Sequence, residues 1–157
     1  MATHDWSLFL ADSEATERFG ARLGGCCMPG TVIHLHGELG AGKSTLVRGL
    51  LQGLGHPGAV KSPTYTLVEG YELDGQRYYH FDLYRLGDPE ELEYLGIRDY
   101  FDGQAIALLE WPERGIGLLP PADLELWLDY HDPGRRLRLA GTGDRAAAIV
   151  ECVSGYY

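Results

Sequence analysis

Nine consecutive residues, Gly37-Glu38-Leu39-Gly40-Ala41-Gly42-Lys43-Ser44-Thr45, carry the spacing G-x-x-x-x-G-K-[ST] of a phosphate-binding loop. Each residue type has a chemical reason to be there. Gly37, Gly40 and Gly42 let the backbone curl and approach oxygen atoms with no Cβ in the way. Lys43 is placed to bridge the β- and γ-phosphates of a nucleoside triphosphate, and Ser44 to put its hydroxyl on Mg²⁺. Ala41 and Thr45 complete the expected cradle. Lys43 and Lys61 are the chain's only lysines, so a lysine at this position is informative.

A cradle of this kind needs a strand to deliver it and a helix to follow it. Thr31-Val32-Ile33-His34-Leu35-His36 reads as a buried strand, and Ser44 to Leu51 has apolar residues at helical spacing. A second apolar run, Ala105 to Leu109, ends in Glu110-Trp111. A buried parallel strand brings its last residue to the same sheet edge as the loop, so Glu110 is the expected Mg²⁺-side carboxylate. Asp82 lies between Phe81 and Leu83, where burying an unpaired charge costs several kcal/mol. A metal, an arginine or a proton must offset that cost. Asp82 is therefore either a residue that polarises the attacking water or half of a structural pair with Arg85. Thr64, after Pro63, is either a hydroxyl that senses γ-phosphate and Mg²⁺ or a turn residue capping its own backbone.

The remaining elements are legible in outline. Leu8–Leu10 reads as a short strand, and Ser13 as the N-cap of a helix ending near Gly24-Gly25. Residues from Tyr65 to Tyr71 alternate like a strand, Asp74-Gly75 signals a hairpin, and Gln76–Arg85 returns beside it. Asp88-Pro89 opens a helix closed by Gly96. Leu124–Tyr130 and Arg136–Leu139 read as paired strands, and Ala146–Val153 as a closing helix. The fold class is therefore α/β: a P-loop NTPase-like three-layer sandwich on a mixed sheet that includes an antiparallel hairpin, in a single domain spanning 1–157.

Composition narrows the partners. The chain has 157 residues and a net charge of −10, which repels a phosphate backbone and argues against independent tight binding to nucleic acid. Arg135, Arg136 and Arg138 read as a solvated strand edge. No apolar run approaches the ~20 residues of a membrane span, and the stretch from Met1 to Trp6 has no signal-peptide pattern. Cys26, Cys27 and Cys152 form neither a disulfide framework nor a zinc spacing, which points to a reducing cytoplasm. His34 and His36 lack a third ligand at a sensible spacing and read as core or loop-supporting residues. No Asn-Lys-x-Asp guanine-reading motif is present, which favours adenine.

The blocks Lys61-Ser62-Pro63-Thr64-Tyr65-Thr66-Leu67-Val68-Glu69, His80-Phe81-Asp82-Leu83-Tyr84-Arg85-Leu86, Pro89-Glu90-Glu91-Leu92-Glu93, Gly96–Phe101 and Leu109-Glu110-Trp111-Pro112 follow the glycine loop in order. In order and spacing they resemble the TsaE (formerly YjeE) family, from Ser13 to about Arg136. The resemblance implies an ATPase of tRNA threonylcarbamoyladenosine (t6A) biosynthesis, with ATP and Mg²⁺ bound and TsaD and TsaB as partners. The tRNAs, which read ANN codons, would be held by those partners. It implies that Ser44 and Glu110 hold Mg²⁺, that Asp82 is essential to hydrolysis, and that Thr64 sits in a switch-like loop. It also implies that Ser13 and Thr16 contact the adenine side while the Gly134-Arg135 turn closes over the nucleotide. On the residues alone, a small phosphotransferase (a nucleotide or metabolite kinase) is the alternative. Such enzymes use extra arginines on a mobile lid, and Arg85, Arg98 and Arg114 are scattered here.

Overall fold

The computed structural model describes residues 3–157; Met1 and Ala2, where the stretch read for a signal peptide begins, lie outside the described residues. Five buried residues, Ile106–Glu110, form the strand at the heart of the molecule. A strand buried on both faces must be covered on both, and the fold supplies that cover. In chain order the elements are β1 Thr3–Leu10, α1 Ser13–Cys26, β2 Val32–His36, α2 Lys43–Gly53, β3 Val68–Leu73, β4 Gln76–Asp82, α3 Glu90–Leu95, β5 Ile106–Glu110, β6 Leu124–His131, β7 Gly134–Thr142 and α4 Asp144–Ser154. Short 3₁₀ turns cover Ile97–Tyr100 and Pro112–Gly115.

One seven-stranded sheet runs β1-β7-β6-β2-β5-β4-β3. Its centre is parallel: β2 pairs with both β5 and β6, and β4 with β5. Antiparallel partners flank it, β3 against β4 on one side and β7 and β1 on the other. The expected mixed sheet with its hairpin is thus present, and Asp74-Gly75 makes the turn with both residues at positive φ.

One face of the sheet is packed by α1, α2 and α4. Phe19, Leu23, Leu46, Leu50, Ile149 and Val153 meet Ile33, Leu35, Leu108 and Leu126 there. The opposite face is covered by α3 and the following 3₁₀ turn, with Leu92 and Ile97 against Phe81 and Leu109. Helices α1 and α2 approach backbone to backbone. A Cβ on Gly20 would overlap the Leu46 carbonyl oxygen, and one on Gly49 the Glu17 carbonyl oxygen.

Beyond small shifts at strand ends, the following details differ from the sequence expectations. The α1 cap is Asp12, whose Oδ1 accepts the Ala15 N–H at 2.8 Å, so Ser13 is the first helical residue. β1 starts at Thr3 because it pairs along its whole length with β7. β3 starts only at Val68, because a Pro63–Leu67 turn uses the preceding residues; the Leu67 N–H donates to the Pro63 carbonyl at 2.8 Å. The arginines of β7 are not on an edge: β7 lies between β1 and β6, and Arg138 pairs with Asp5 at 2.8 Å. Cys26 and Cys152 form a disulfide that ties α1 to α4. Adjacency to Cys27 hid this pairing, since only the Cys26 side of α1's last turn meets α4. Burial pushes the remaining Cys27 thiol up to about 12. The inference of a reducing compartment from cysteine usage loses its basis.

Candidate active site

The loop leaves the C-terminal end of β2 and enters α2. Gly40 and Gly42 take φ of 80° and 114°, a region open to glycine at little cost. A Cβ at Gly37 would press on the Leu128 carbonyl oxygen. The loop is braced from outside. The Tyr130 hydroxyl donates to the Leu39 carbonyl at 2.7 Å, and Arg135 Nε donates to the Ala41 carbonyl at 3.0 Å. The first amides of α2 have no intrahelical acceptor and are available to an anion, with the positive end of the helix dipole behind them. Lys43 is buried; its Nζ donates to the Gly37 carbonyl and lies 3.8 Å from the centre of the Trp111 ring.

Ser44 Oγ lies 3.1 and 3.3 Å from the two carboxylate oxygens of Glu110, which is only 3% exposed. His80 Nε2 approaches Glu110 Oε2 at 2.6 Å. Glu110 and Asp82 close neighbouring parallel strands and are paired in register. Asp82, 9% exposed, accepts the Tyr84 N–H at 3.1 Å, and Arg85 lies over the Tyr65 ring instead of pairing with Asp82. Burial is the main reason its carboxyl is pushed above the ordinary range; nearby Glu110 pushes the same way, while the Tyr84 N–H, His80 and Lys43 oppose. Burial likewise lowers Lys43, with Glu110, Asp82 and Glu113 pulling it back up.

Two buried acids beside one hydroxyl make a hard-oxygen donor set suited to Mg²⁺, whose charge would offset the cost of keeping both ionised. Thr64 reaches the same place from the turn after α2, its hydroxyl 2.6 Å from Ser62 Oγ. The strand end holds that turn: the Asp82 N–H donates to the Leu67 carbonyl at 3.0 Å.

These residues share one cleft of about 460 Å³, lined by Gly40, Gly42, Lys43, Ser44, Thr45 and Thr64 on one side and by Asp82, Arg85, Glu110 and Trp111 on the other. Ser13, Thr16, Ala41 and Gly134 line a second cavity of about 320 Å³ on the far side of the loop. Gly134 closes tightly on α1's entrance, for a Cβ there would overlap the Leu10 carbonyl oxygen.

Sequence reasoning missed the roles of His80, Tyr130 and Trp111. For His80 a signal existed: it shares the strand face of Asp82 two residues on. Trp111 sits in the left-handed region at φ 59°, a strained placement for a bulky residue that aims its ring at Lys43. No motif marked Tyr130. His34 and His36 both turn to Glu125, with His34 Nδ1 3.5 Å from its Oε1. Among the described residues no three or more His, Cys, Asp or Glu side chains cluster so as to hold a metal by themselves.

The family model for the threonylcarbamoyl adenosine biosynthesis protein TsaE matches residues 10–137. The chain belongs to the TsaE family. It is 54% identical over 123 residues to a tRNA threonylcarbamoyladenosine biosynthesis protein TsaE of Haemophilus influenzae, covering 78% of each chain. With the TsaE of Bacillus subtilis it shares 37% identity over 127 residues, 80% of this chain and 79% of that one. The crystal structure of Bacillus subtilis YdiB superposes with a TM-score of 0.81 at 28% identity, covering 99% of this chain and 98% of that one. The TsaE match spans the loop, both acids and the Gly134 turn, and excludes α4.

Proposed function

We propose that this chain is an Mg²⁺-dependent ATPase that serves tRNA t6A modification together with TsaD and TsaB. The observation that carries the reading is the approach of Ser44 Oγ to the Glu110 carboxylate at the floor of the cleft that Lys43, Asp82 and Thr64 also line. In this reading the loop amides and Lys43 grip the β- and γ-phosphates, and Ser44 and Glu110 hold the metal. Bound there, Mg²⁺ would neutralise phosphate charge. Asp82, beside Glu110, orients the attacking water, and Thr64 follows the γ-phosphate through its turn. Ser13, Thr16 and Gly134 receive the nucleoside. Water adds to the γ-phosphorus, the bond to the β-bridging oxygen breaks, and the products are ADP and inorganic phosphate.

The cleft's lining is made of the loop, Thr64, the two acids, Arg85 and Trp111, a set that a bound triphosphate and its metal would occupy, which supports an accessory ATPase over a kinase. A role in tRNA modification supports a cytoplasmic location for this chain. No described helix is long and apolar enough to cross a membrane. The test is phosphate release from ATP by the protein alone and then with TsaB, TsaD and tRNA. Slow turnover alone with stimulation by the partners is expected. Transfer of labelled phosphate to a small metabolite would instead establish the phosphotransferase.

A further inference from the structure

Two cationic side chains line the triphosphate cleft, Lys43 and Arg85. Lys43 belongs to the loop. Arg85 stands across from it, three residues beyond Asp82, and the phosphate-loop pattern does not account for it. Its guanidinium carbon lies 4.7 Å from the centre of the Tyr65 ring, a ring 83% exposed at the tip of the turn that carries Thr64. Arg48, Arg77, Arg98, Arg138 and Arg145 each pair with a carboxylate, and Arg135 is spent on loop carbonyls. Among the described residues Arg85 has no carboxylate within 4 Å and only an aromatic face to rest on. That contact is weak at an exposed site, about 0.5–1 kcal/mol, so moving the head group off the ring costs little.

The base of the side chain, by contrast, is fixed. The Leu83 N–H donates to the Glu110 carbonyl at 3.1 Å, the Leu86 N–H to the Leu83 carbonyl at 3.1 Å, and the Tyr84 N–H to Asp82. A long cationic arm thus springs from a segment tied to the Glu110 carbonyl and the Asp82 carboxylate, with its head at the cleft against the Tyr65 ring.

We infer that Arg85 is a catalytic residue of the ATPase, an arginine finger supplied in cis that leaves Tyr65 to stabilise the γ-phosphoryl group. This rests on the ATPase reading. As the bond to the β-bridging oxygen breaks, negative charge builds on that oxygen and is spread over the γ-oxygens. A planar guanidinium presents its N–H donors in a fixed fork that matches two of these oxygens, whereas an ammonium acts as a compact point charge without that preset geometry. Arg85 transfers no proton; the proton of the attacking water leaves with the inorganic phosphate.

The test is single-turnover hydrolysis by the full chain without partners, together with trapping of ADP by aluminium fluoride, which mimics the γ-phosphoryl in transfer. Arg85→Ala should lower the rate about a hundredfold or more and abolish trapping, while ADP and ATP affinities stay within about threefold of wild type. Arg85→Lys should restore only part of the rate. Hydrolysis and trapping at wild-type levels by Arg85→Ala overturn the inference and leave the ATPase reading standing. So does a loss seen only when TsaB and TsaD are present, which makes Arg85 a docking residue. Wild-type protein that holds no nucleotide overturns both.

Discussion

Ser44 and Glu110 are 66 residues apart in sequence and 3.1 Å apart in space. One lies in the first turn of α2 and the other closes β5, so their meeting depends on β2 and β5 being parallel neighbours. Glu110→Gln keeps the shape and removes the charge. ATP hydrolysis should fall about a hundredfold, and the Mg²⁺ concentration giving half-maximal rate should rise about tenfold or more. Ser44→Ala should move the same two quantities in the same direction, and removal of the metal with EDTA should abolish turnover of wild type. A Mg²⁺ titration of phosphate release checks all three.

The Glu125 carboxylate provides the pH-dependent part of the fold's stability that is clearest in origin. Burial would raise it from its ordinary 4.5, but hydrogen bonds and charge from His34 and His36 outweigh burial and hold it at about 2. A carboxylate depressed in the folded state stabilises the fold fully above its unfolded pKa and loses that contribution as pH falls through the folded one. Stability should therefore decline between pH 4.5 and about 2. Glu125→Gln should be less stable than wild type at neutral pH and should converge with it near the acid limit. Thermal unfolding across that range reads the difference.

Two glycine-to-alanine changes within or beside the same helix pair should have opposite signs. Gly25 lies in α1 with open space where a Cβ would go, so Gly25→Ala should stabilise by about 0.5–1 kcal/mol through the unfolded chain. Gly49 faces the Glu17 backbone, and Gly49→Ala should destabilise by about 1–3 kcal/mol or more as the helices part. Urea unfolding of both variants checks the pair.

The Cys26–Cys152 bridge closes a separation of 126 residues. Reduction should lower unfolding stability by about 2–4 kcal/mol, and Cys152→Ser should show that loss without reductant. Thiol titration of denatured wild type should find one reactive group, Cys27, before reduction and three after.

The glycine loop, the acid ending β5 and the Asp74-Gly75 hairpin were legible in the sequence because each rests on local chemistry. Turn φ values, burial of a continuous apolar run and the N–H groups of a helix start are properties of a few adjacent residues. The brace from Tyr130 and Arg135 was not legible, because it joins β6 and β7 to a loop some ninety residues upstream. Nor was the disulfide, since two adjacent cysteines differ only in which side of a helix turn they occupy. The alternative of a structural Asp82–Arg85 pair could be set aside only in three dimensions: the backbone N–H of Tyr84 reaches the acid and the arginine turns away to Tyr65.

The lateral pairing of Asp82 with Glu110 separates the two acids by one sheet spacing, a length set by backbone geometry. The hairpin tip at Asp74-Gly75 lies at the far end of β4 from that pairing. An epitope or fluorophore grafted into the tip would thus leave the chemistry untouched, whereas deleting a single residue inside β4 would turn Asp82 to the wrong side of the sheet.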